Sequence, residues 1–575
     1  MSPFRARRGT RGPDRKAGLT ASLVGTLLVV AALALLSRFL PAQLTPFHHH
    51  AHIAPHLRSL AGVGVLPGDF GHTALRMASA TLIGACIGSI LALGAARIPL
   101  LTGAIRTLLG GLHMVPLLCL LPFLHLLGFE VSAIGVTALA LAAPIASATL
   151  TAWESVPRAF DEAARALGLT GWQRLWRLEA PFAIPDSVTA LARAMPMAWC
   201  LLIAAEMLPV NGAIPVRPGL GTHAAQAAAI GSIGQTGIAA LLIGLLAWLY
   251  DTCFVFPWQI WADRYRMIPL FDQASDPWML KLWRRTRVLK RSGERLRRVL
   301  AWLGDLRLGS NGFRPVRIAR GSSPLIGLGC GAIILLIVVA FFWRHHALDM
   351  RDLLIVTEQS LVSALRMTLA LALAIALWVP LGVWLGLSSR RAGPARVITR
   401  FLTLYPKNIL FPVLCMVMML SGAAPFLWPL FLCFFFMQWL LLAQILRGMR
   451  GFPLDLLQAA RNLQIKGWLW WRRVLLPGLA LVIVEAISAA SMAGWTILIL
   501  AERSSWKLHG QDCGGIGAYV ARAMEAGDLP RVVLGAAVLT LCIALGEIMV
   551  WHPLRLQIGR RIQSSPVTSS TRSQS

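Results

Sequence analysis

Apolar residues in this chain come in runs of about twenty, separated by short polar stretches and one long basic one. An α-helix needs a run of that length to cross a hydrocarbon layer of about 30 Å. Six runs fall in each half: 19–40, 73–96, 109–128, 131–153, 186–209 and 235–257, then 324–343, 360–387, 405–422, 425–447, 479–501 and 531–552. Prolines interrupt 109–128 and 405–422. The alternating apolar segments of a lipid-facing β-barrel are absent. The pattern predicts an all-α integral membrane protein of about 12 transmembrane helices, arranged as two parallel six-helix repeats.

The repeat is written most clearly in a polar segment between the fourth and fifth runs of each half. Glu162-Ala163-Ala164 leads through Gly168, Gly171-Trp172 and Arg177 to Pro181. Gln458-Ala459-Ala460 leads through Gln464, Gly467-Trp468 and Arg473 to Leu476-Pro477, an offset of 296 residues. Each segment follows a proline, Pro157 or Pro453. Pro116 with Pro412, Trp199 with Trp495, Glu206 with Glu502, Asp251 with Glu547, and Gly219-Leu220-Gly221 with Gly515-Ile516-Gly517 hold the same offset. Upstream, Ala74-Leu75-Arg76-Met77 pairs with Ala364-Leu365-Arg366-Met367 at 290 residues, which places a six-residue insertion near Ser388–Arg396. A register kept this long marks an internal duplication. The domains expected are 1–257 (loop 154–183), a linker 258–322, 323–555 (loop 448–477) and a disordered tail 556–575.

Composition agrees with the pattern. Hydrophobic residues are 57% of 575, charged residues 14%, and mean hydropathy is +0.66. A net charge of +29 would suit nucleic acid, but its distribution does not. The linker 258–322 carries 15 Lys/Arg against 5 Asp/Glu, whereas 41–72 has only Arg58 and 210–233 only Arg217. Positive charge collects on the cytosolic side of membrane proteins. Both termini, the linker and both repeat loops are therefore expected in the cytosol, beside anionic lipid rather than nucleic acid. The run 19–40 is too long for a signal-peptide core and reads as a retained helix. Eight of nine cysteines lie in or beside apolar runs, and Cys513 stands alone in an outward loop, so no disulfide framework is expected. His48, His49, His50, His52 and His56 match no closed metal site, and no metal is assigned.

Phe160, Ala163, Ala164 and Leu167 fall at i, i+3, i+4 and i+7, the spacing of one helix face. A short amphipathic helix with a small-residue face suits insertion into a partner's groove. Here the chain resembles the permease subunits of bacterial ABC importers, whose hallmark is an EAA segment, a Gly six residues after its Glu, and a Leu-Pro further on. Glu162, Ala163, Ala164, Gly168 and Pro181 fit that pattern, with Ala180 in place of Leu. The second copy keeps Ala459, Ala460, Leu476 and Pro477 but has Gln458 and Gln464. A finer resemblance to nitrate/sulfonate/taurine-type permeases rests on Ala198-Trp199 through Ala205-Glu206-Met207-Leu208 and their second-half counterparts.

The resemblance implies that each loop is a coupling helix seated in an ATPase subunit. It implies two such subunits and a periplasmic substrate-binding protein as partners, with ATP and Mg bound in the ATPase and no cofactor in this chain. It also implies the bacterial inner membrane as the location, a transport role rather than an enzymatic one, and a small oxyanion such as nitrate, sulfonate or taurine as cargo. A ferric-ion or thiamine importer is the nearer alternative, and a 12-helix secondary transporter the more distant one. No Gly-x-x-x-x-Gly-Lys-Ser/Thr loop occurs in the chain.

Charge at bilayer depth costs several kcal/mol. Arg193, Glu206, Glu485 and Glu502 are therefore candidates for the translocation path. Arg193 and Glu485 have no charged counterpart in the other half and could form an inner-gate ion pair. Arg76, Arg366 and Lys407 read as interfacial anchors.

Overall fold

The computed structural model describes residues 65–208, 217–230, 232–266, 350–422, 424–452, 454–503 and 513–563, with isolated positions between 294 and 306. The expected spans 19–40 and 324–343, the histidine cluster and most of the linker lie outside the described residues. Within them the chain is helical throughout, and it is an all-α integral membrane protein.

The first half runs α1 (Leu66–Arg97), α2 (Pro99–Met114), a short 3-10 turn (Leu117–Leu120), α3 (Leu121–His125), α4 (Phe129–Glu154), α5 (Arg158–Ala166), α6 (Gly171–Met207), α7 (Leu220–Ala229) and α8 (Ile233–Asp263). The second half repeats it: α9 (Met350–Gly386), α10 (Ser389–Leu404), a turn (Lys407–Leu410), α11 (Phe411–Leu420), α12 (Trp428–Gly448), α13 (Leu454–Asn462), α14 (Gly467–Ala501), α15 (Ile516–Ala526) and α16 (Leu529–Arg560). Among the described residues, eight helices, four in each half, are long and apolar enough to cross a membrane: α1, α4, α6, α8, α9, α12, α14 and α16. The last helix continues to Gln563, so the start of the expected disordered tail is helical.

The run 109–128 is a broken element and not a straight span. Helix α2 and the segment that follows meet at 103°. The cause is local. Pro116 lacks an N–H and forces Val115 into an extended conformation (φ −78, ψ 130), which ends α2. Tyr405 before Pro406 repeats this (φ −59, ψ 125) and ends α10 in the same way. These two turns correct the register expected from sequence. Pro116 is the counterpart of Pro406, at 290 residues, and Pro122 is that of Pro412. The six extra residues therefore lie after the turn, in the longer α11, and not near Ser388–Arg396.

In each half the spans pack in sequence, α1 on α4 and α4 on α6, then α9 on α12 and α12 on α14. The halves interdigitate. Helix α10 and the turn Lys407–Leu410 reach across to α6 and α8, while α2 and the turn Leu117–Leu120 reach across to α14 and α16. Arg400 of α10 holds Asp251 of α8 through two bonds of 2.8 and 3.0 Å, and the Tyr405 hydroxyl donates to the Ala240 carbonyl at 3.2 Å. The mirror-related contact has no such ion pair, because Gly110 stands at the position of Arg400. Five-residue π turns also repeat, at Leu175–Glu179 and Trp471–Leu475 in the fifth spans and at Asp251–Val255 and Glu547–Trp551 in the last. The duplication thus extends to local irregularities, which are often kept for function.

Candidate functional site

Helices α5 and α13 end in the same way. In the first, the Leu167, Gly168 and Leu169 amides return to the carbonyls of Ala163, Arg165 and Ala164. In the second, Leu463, Gln464 and Ile465 return to Ala459, Arg461 and Ala460. This closure requires a left-handed residue after the helix. Gly168 supplies it at φ +61, and Gln464 at φ +52 is the one non-glycine among the described residues with positive φ. A missing glycine has therefore not altered the backbone.

The apolar face expected of α5 is split between two environments. Ala164 and its counterpart Ala460 are buried, whereas Phe160, Ala163 and Leu167, and likewise Leu456, Ala459 and Leu463, are exposed. Glu162 and Gln458 are exposed beside them. Pro181 and Pro477 lie in the first turn of the regular helix after each π segment, half-buried and exposed respectively. One alanine seats each short helix on its own chain, and the larger apolar side chains face away from it.

What lies beneath the two helices differs completely. Arg174 pairs with Asp161 of α5 and, at 3.0 Å, with Glu179, which also pairs with Arg97 at the end of α1. The Trp153 indole donates to the Glu179 carbonyl at 2.9 Å. In the second half the corresponding positions are Leu457, Trp470, Leu475, Leu387 and Met449. A buried ion network in one half is thus an apolar plug in the other.

At the far end of the fifth spans lies a duplicated carboxylate cluster. Glu206 is fully buried and accepts from Arg76 Nη1 at 2.7 Å, from Thr73 at 3.1 Å and from the Gly221 amide at 2.9 Å. Glu502 is equally buried and accepts from Arg366 Nη1 at 2.9 Å, Ser363 at 2.8 Å and the Gly517 amide at 2.8 Å. The Thr73 and Ser363 hydroxyls in turn accept the Leu220 and Ile516 amides, each at 2.9 Å. Each carboxylate thus neutralises the first turn of a short helix, α7 or α15, where free amides and the helix dipole favour an anion. A Cβ on Gly221 would lie 2.7 Å from the Glu206 Cβ, so only glycine fits there.

Arg76 and Arg366 are accordingly buried ion-pair partners and not the interfacial anchors the sequence suggested. The sequence did contain the signal: an arginine and a glutamate of opposite charge, both inside apolar runs and both duplicated. Beyond the glutamate the copies diverge. Arg76 grips Glu130 with Nε and Nη2 (2.7 and 2.5 Å), whereas Arg366 donates to the carbonyls of Cys513 and Gly514 and lies 4.5 Å from the Phe426 ring, which replaces Glu130.

Arg193 on α6 and Glu485 on α14 are exposed, and no ion pair joins them. Lys407 lies elsewhere than expected, deep in the protein at 4% exposure, in the turn between α10 and α11. Its Nζ reaches the Thr403 carbonyl at 3.4 Å and lies 5.0 Å from the Phe436 ring. The adjacent Asn408 donates its side-chain amide to the Cys200 carbonyl of α6 at 3.0 Å.

Residues 84–256 match the family described as "Binding-protein-dependent transport system inner membrane component". The taurine transport system permease protein TauC of Escherichia coli (strain K12) is 31% identical over 137 residues, 23% of this chain and 48% of TauC. The glycine betaine/proline betaine transport system permease protein ProW of the same organism is 28% identical over 192 residues, 32% of this chain and 54% of ProW. ProW of Salmonella typhimurium is 27% identical over the same length. The chain spans about half the length of the curated relatives it matches, and no solved structure matches it. By these matches the chain is related to the permeases of ABC importers.

Proposed function

We propose that this chain carries both halves of the permease of an ATP-driven importer, with α5 and α13 as the cytosolic helices that dock onto two ATPase subunits. The observation that carries this reading is the pair of short helices. Each has an identical cap and one alanine turned inward, and each presents an exposed apolar pair, Phe160 with Leu167 or Leu456 with Leu463. Exposed apolar residues on a charged helix are the anchors of a helix-in-groove interface. ATPase closure would push both helices at once and rock the interdigitated halves between an inward-facing and an outward-facing state. A periplasmic binding protein would deliver cargo at the end that carries Glu206 and Glu502. These two carboxylates have their acceptor positions filled by the protein, so they stiffen the outer end rather than contact cargo.

The cargo proposed is a small oxyanion or sulfonate, supported by the similarity to TauC. A betaine-type cargo is the second reading, favoured by the similarity to ProW. Growth of a strain lacking the chain decides between them. Failure on taurine or alkanesulfonate as sole sulfur source, or on nitrate as sole nitrogen source, restored by the wild-type chain but not by Ala164→Arg, supports the first. Loss of osmoprotection by glycine betaine alone supports the second.

Docking is also expected to be unequal. Glu162 can accept charged hydrogen bonds, whereas Gln458 makes neutral ones, which are weaker by about half. Glu162→Gln should weaken ATPase co-purification and Gln458→Glu should strengthen it; equal and negligible changes would sink the idea. Arg193, exposed on the fifth span, is the proposed anion contact nearest the cytosol. Arg193→Ala should reduce anion uptake at unchanged expression.

A further inference from the structure

The buried arginines Arg76, Arg174 and Arg366 each hold a carboxylate. Lys407, 4% exposed, holds none: among the described residues its ammonium group meets one carbonyl at 3.4 Å and one aromatic face. A charge at membrane depth costs several kcal/mol unless it is paired. The fold itself does not require the charge. The first half builds the same proline-broken turn with Leu117 and Leu118 at the equivalent positions. Beside Lys407, Asn408 is also buried, and its Oδ1 has no hydrogen-bond partner. Two adjacent positions thus carry polar groups that the duplicated fold makes from leucine in its other copy.

Their place in the molecule is central. The turn Lys407–Leu410 packs against α6 and α8 of the first half and against α12 and α14 of its own, so it touches both fifth spans. Asn408 is tied to Cys200, whose thiol neighbours Lys407. Along α6, Cys200 stands about 9 Å from Glu206 and about 10 Å from Arg193 at 1.5 Å per residue. Lys407 therefore sits between the closed carboxylate cluster at one end and the exposed Arg193 towards the other. Substrate sites of transporters favour such interrupted helices at the interface of the repeats.

We propose that Lys407, with Asn408 beside it, is an anion-binding station at the middle of the translocation path, taking the negatively charged oxygens of the cargo. This rests on the importer reading above. It names the missing counter-charge as the cargo's own sulfonate, carboxylate or inorganic oxyanion. Because the second half alone carries the cation, a single anion is bound off the pseudo-twofold axis, close to Cys200.

Cys200 makes the proposal testable without knowing the cargo. The full-length chain in membrane vesicles is treated with two thiosulfonate reagents of similar size, the anionic sulfonatoethyl and the cationic trimethylammonioethyl methanethiosulfonates. In both, the thiolate displaces a methanesulfinate and forms a mixed disulfide, which mass spectrometry reads at Cys200. The ratio of the two rates cancels any effect of Lys407 on the thiol itself. In the wild type the anionic reagent should react faster, and Lys407→Met should lower the anionic-to-cationic ratio by at least about tenfold, as expected for one unit charge neighbouring the thiol at an effective dielectric constant near 20. Lys407→Arg should preserve the ratio, which separates loss of charge from loss of folding. Equal ratios in wild type and Lys407→Met would overturn the proposal, as would a Cys200 that neither reagent reaches. A Lys407-dependent ratio in a chain that supports growth on no oxyanion would overturn only the cargo reading.

Discussion

At Gln464 the second repeat forces an ordinary side chain into a conformation that glycine adopts freely. A non-glycine residue in the left-handed region costs about 1–2 kcal/mol. Gln464→Gly should therefore raise thermal stability in detergent by about 1 kcal/mol, and Gly168→Gln should lower it by a similar amount; no change in either would mean that the two caps relax differently. The buried Arg76–Glu206 pair makes the opposite kind of prediction. Removing one partner of a buried pair costs about 3–5 kcal/mol because a charge is left behind. Arg76→Met should abolish the folded fraction seen by size-exclusion chromatography, and Arg76→Met with Glu206→Gln should recover part of it. At this scale the sequence marked Glu206 and Glu502 as a duplicated pair inside apolar runs, but not their setting: both were candidates for the translocation path, and both are held in buried ion pairs. It misled at Lys407, because a lysine close to an apolar boundary looks the same whether it snorkels outward or points inward.

The short helices α5 and α13 could be located from their spacing, since proline, alanine pair and glycine mark the start, face and stop of a helix locally. Their mounting could not. Arg97 lies 82 residues before Glu179, and nothing in the spacing of Asp161, Arg174 and Glu179 says that they meet it under α5. The structure shows two chemical solutions to one mechanical task, a salt network under α5 and leucine with tryptophan under α13. Their energetics are expected to differ. Glu179→Leu alone should destabilise by about 3–5 kcal/mol, since Arg97 and Arg174 lose the buried carboxylate they share. The fourfold change Arg97→Leu, Asp161→Leu, Arg174→Trp and Glu179→Leu imports the second-half chemistry and should recover most of that loss, a strong departure from additivity. Limited proteolysis at α5, which becomes cleavable when its seat is lost, is the direct measurement. The broken runs also belong to this scale. Prolines announced an interruption, but hydropathy alone could not separate a kinked span from a right-angled turn.

Across the whole molecule, the arrangement of spans in two matching halves was readable from periodicity and offset, whereas the exchange of α2 and α10 between halves was not, because contacts between distant spans leave no local trace. That exchange has a consequence for how the protein is made. Helix α10 leaves the ribosome when α8, its cross-half neighbour, already exists. Helix α2 does not have this advantage. Its neighbour α16 begins at Leu529, some 415 residues after Met114. At about 5–20 residues per second, α2 waits about 20–80 s for its neighbour. During that interval its apolar flank must be covered by lipid or by the insertion machinery. The nascent chain is therefore most vulnerable in its first half, and pulse-chase protease protection should show α2 gaining its final resistance only after α16 has been synthesised.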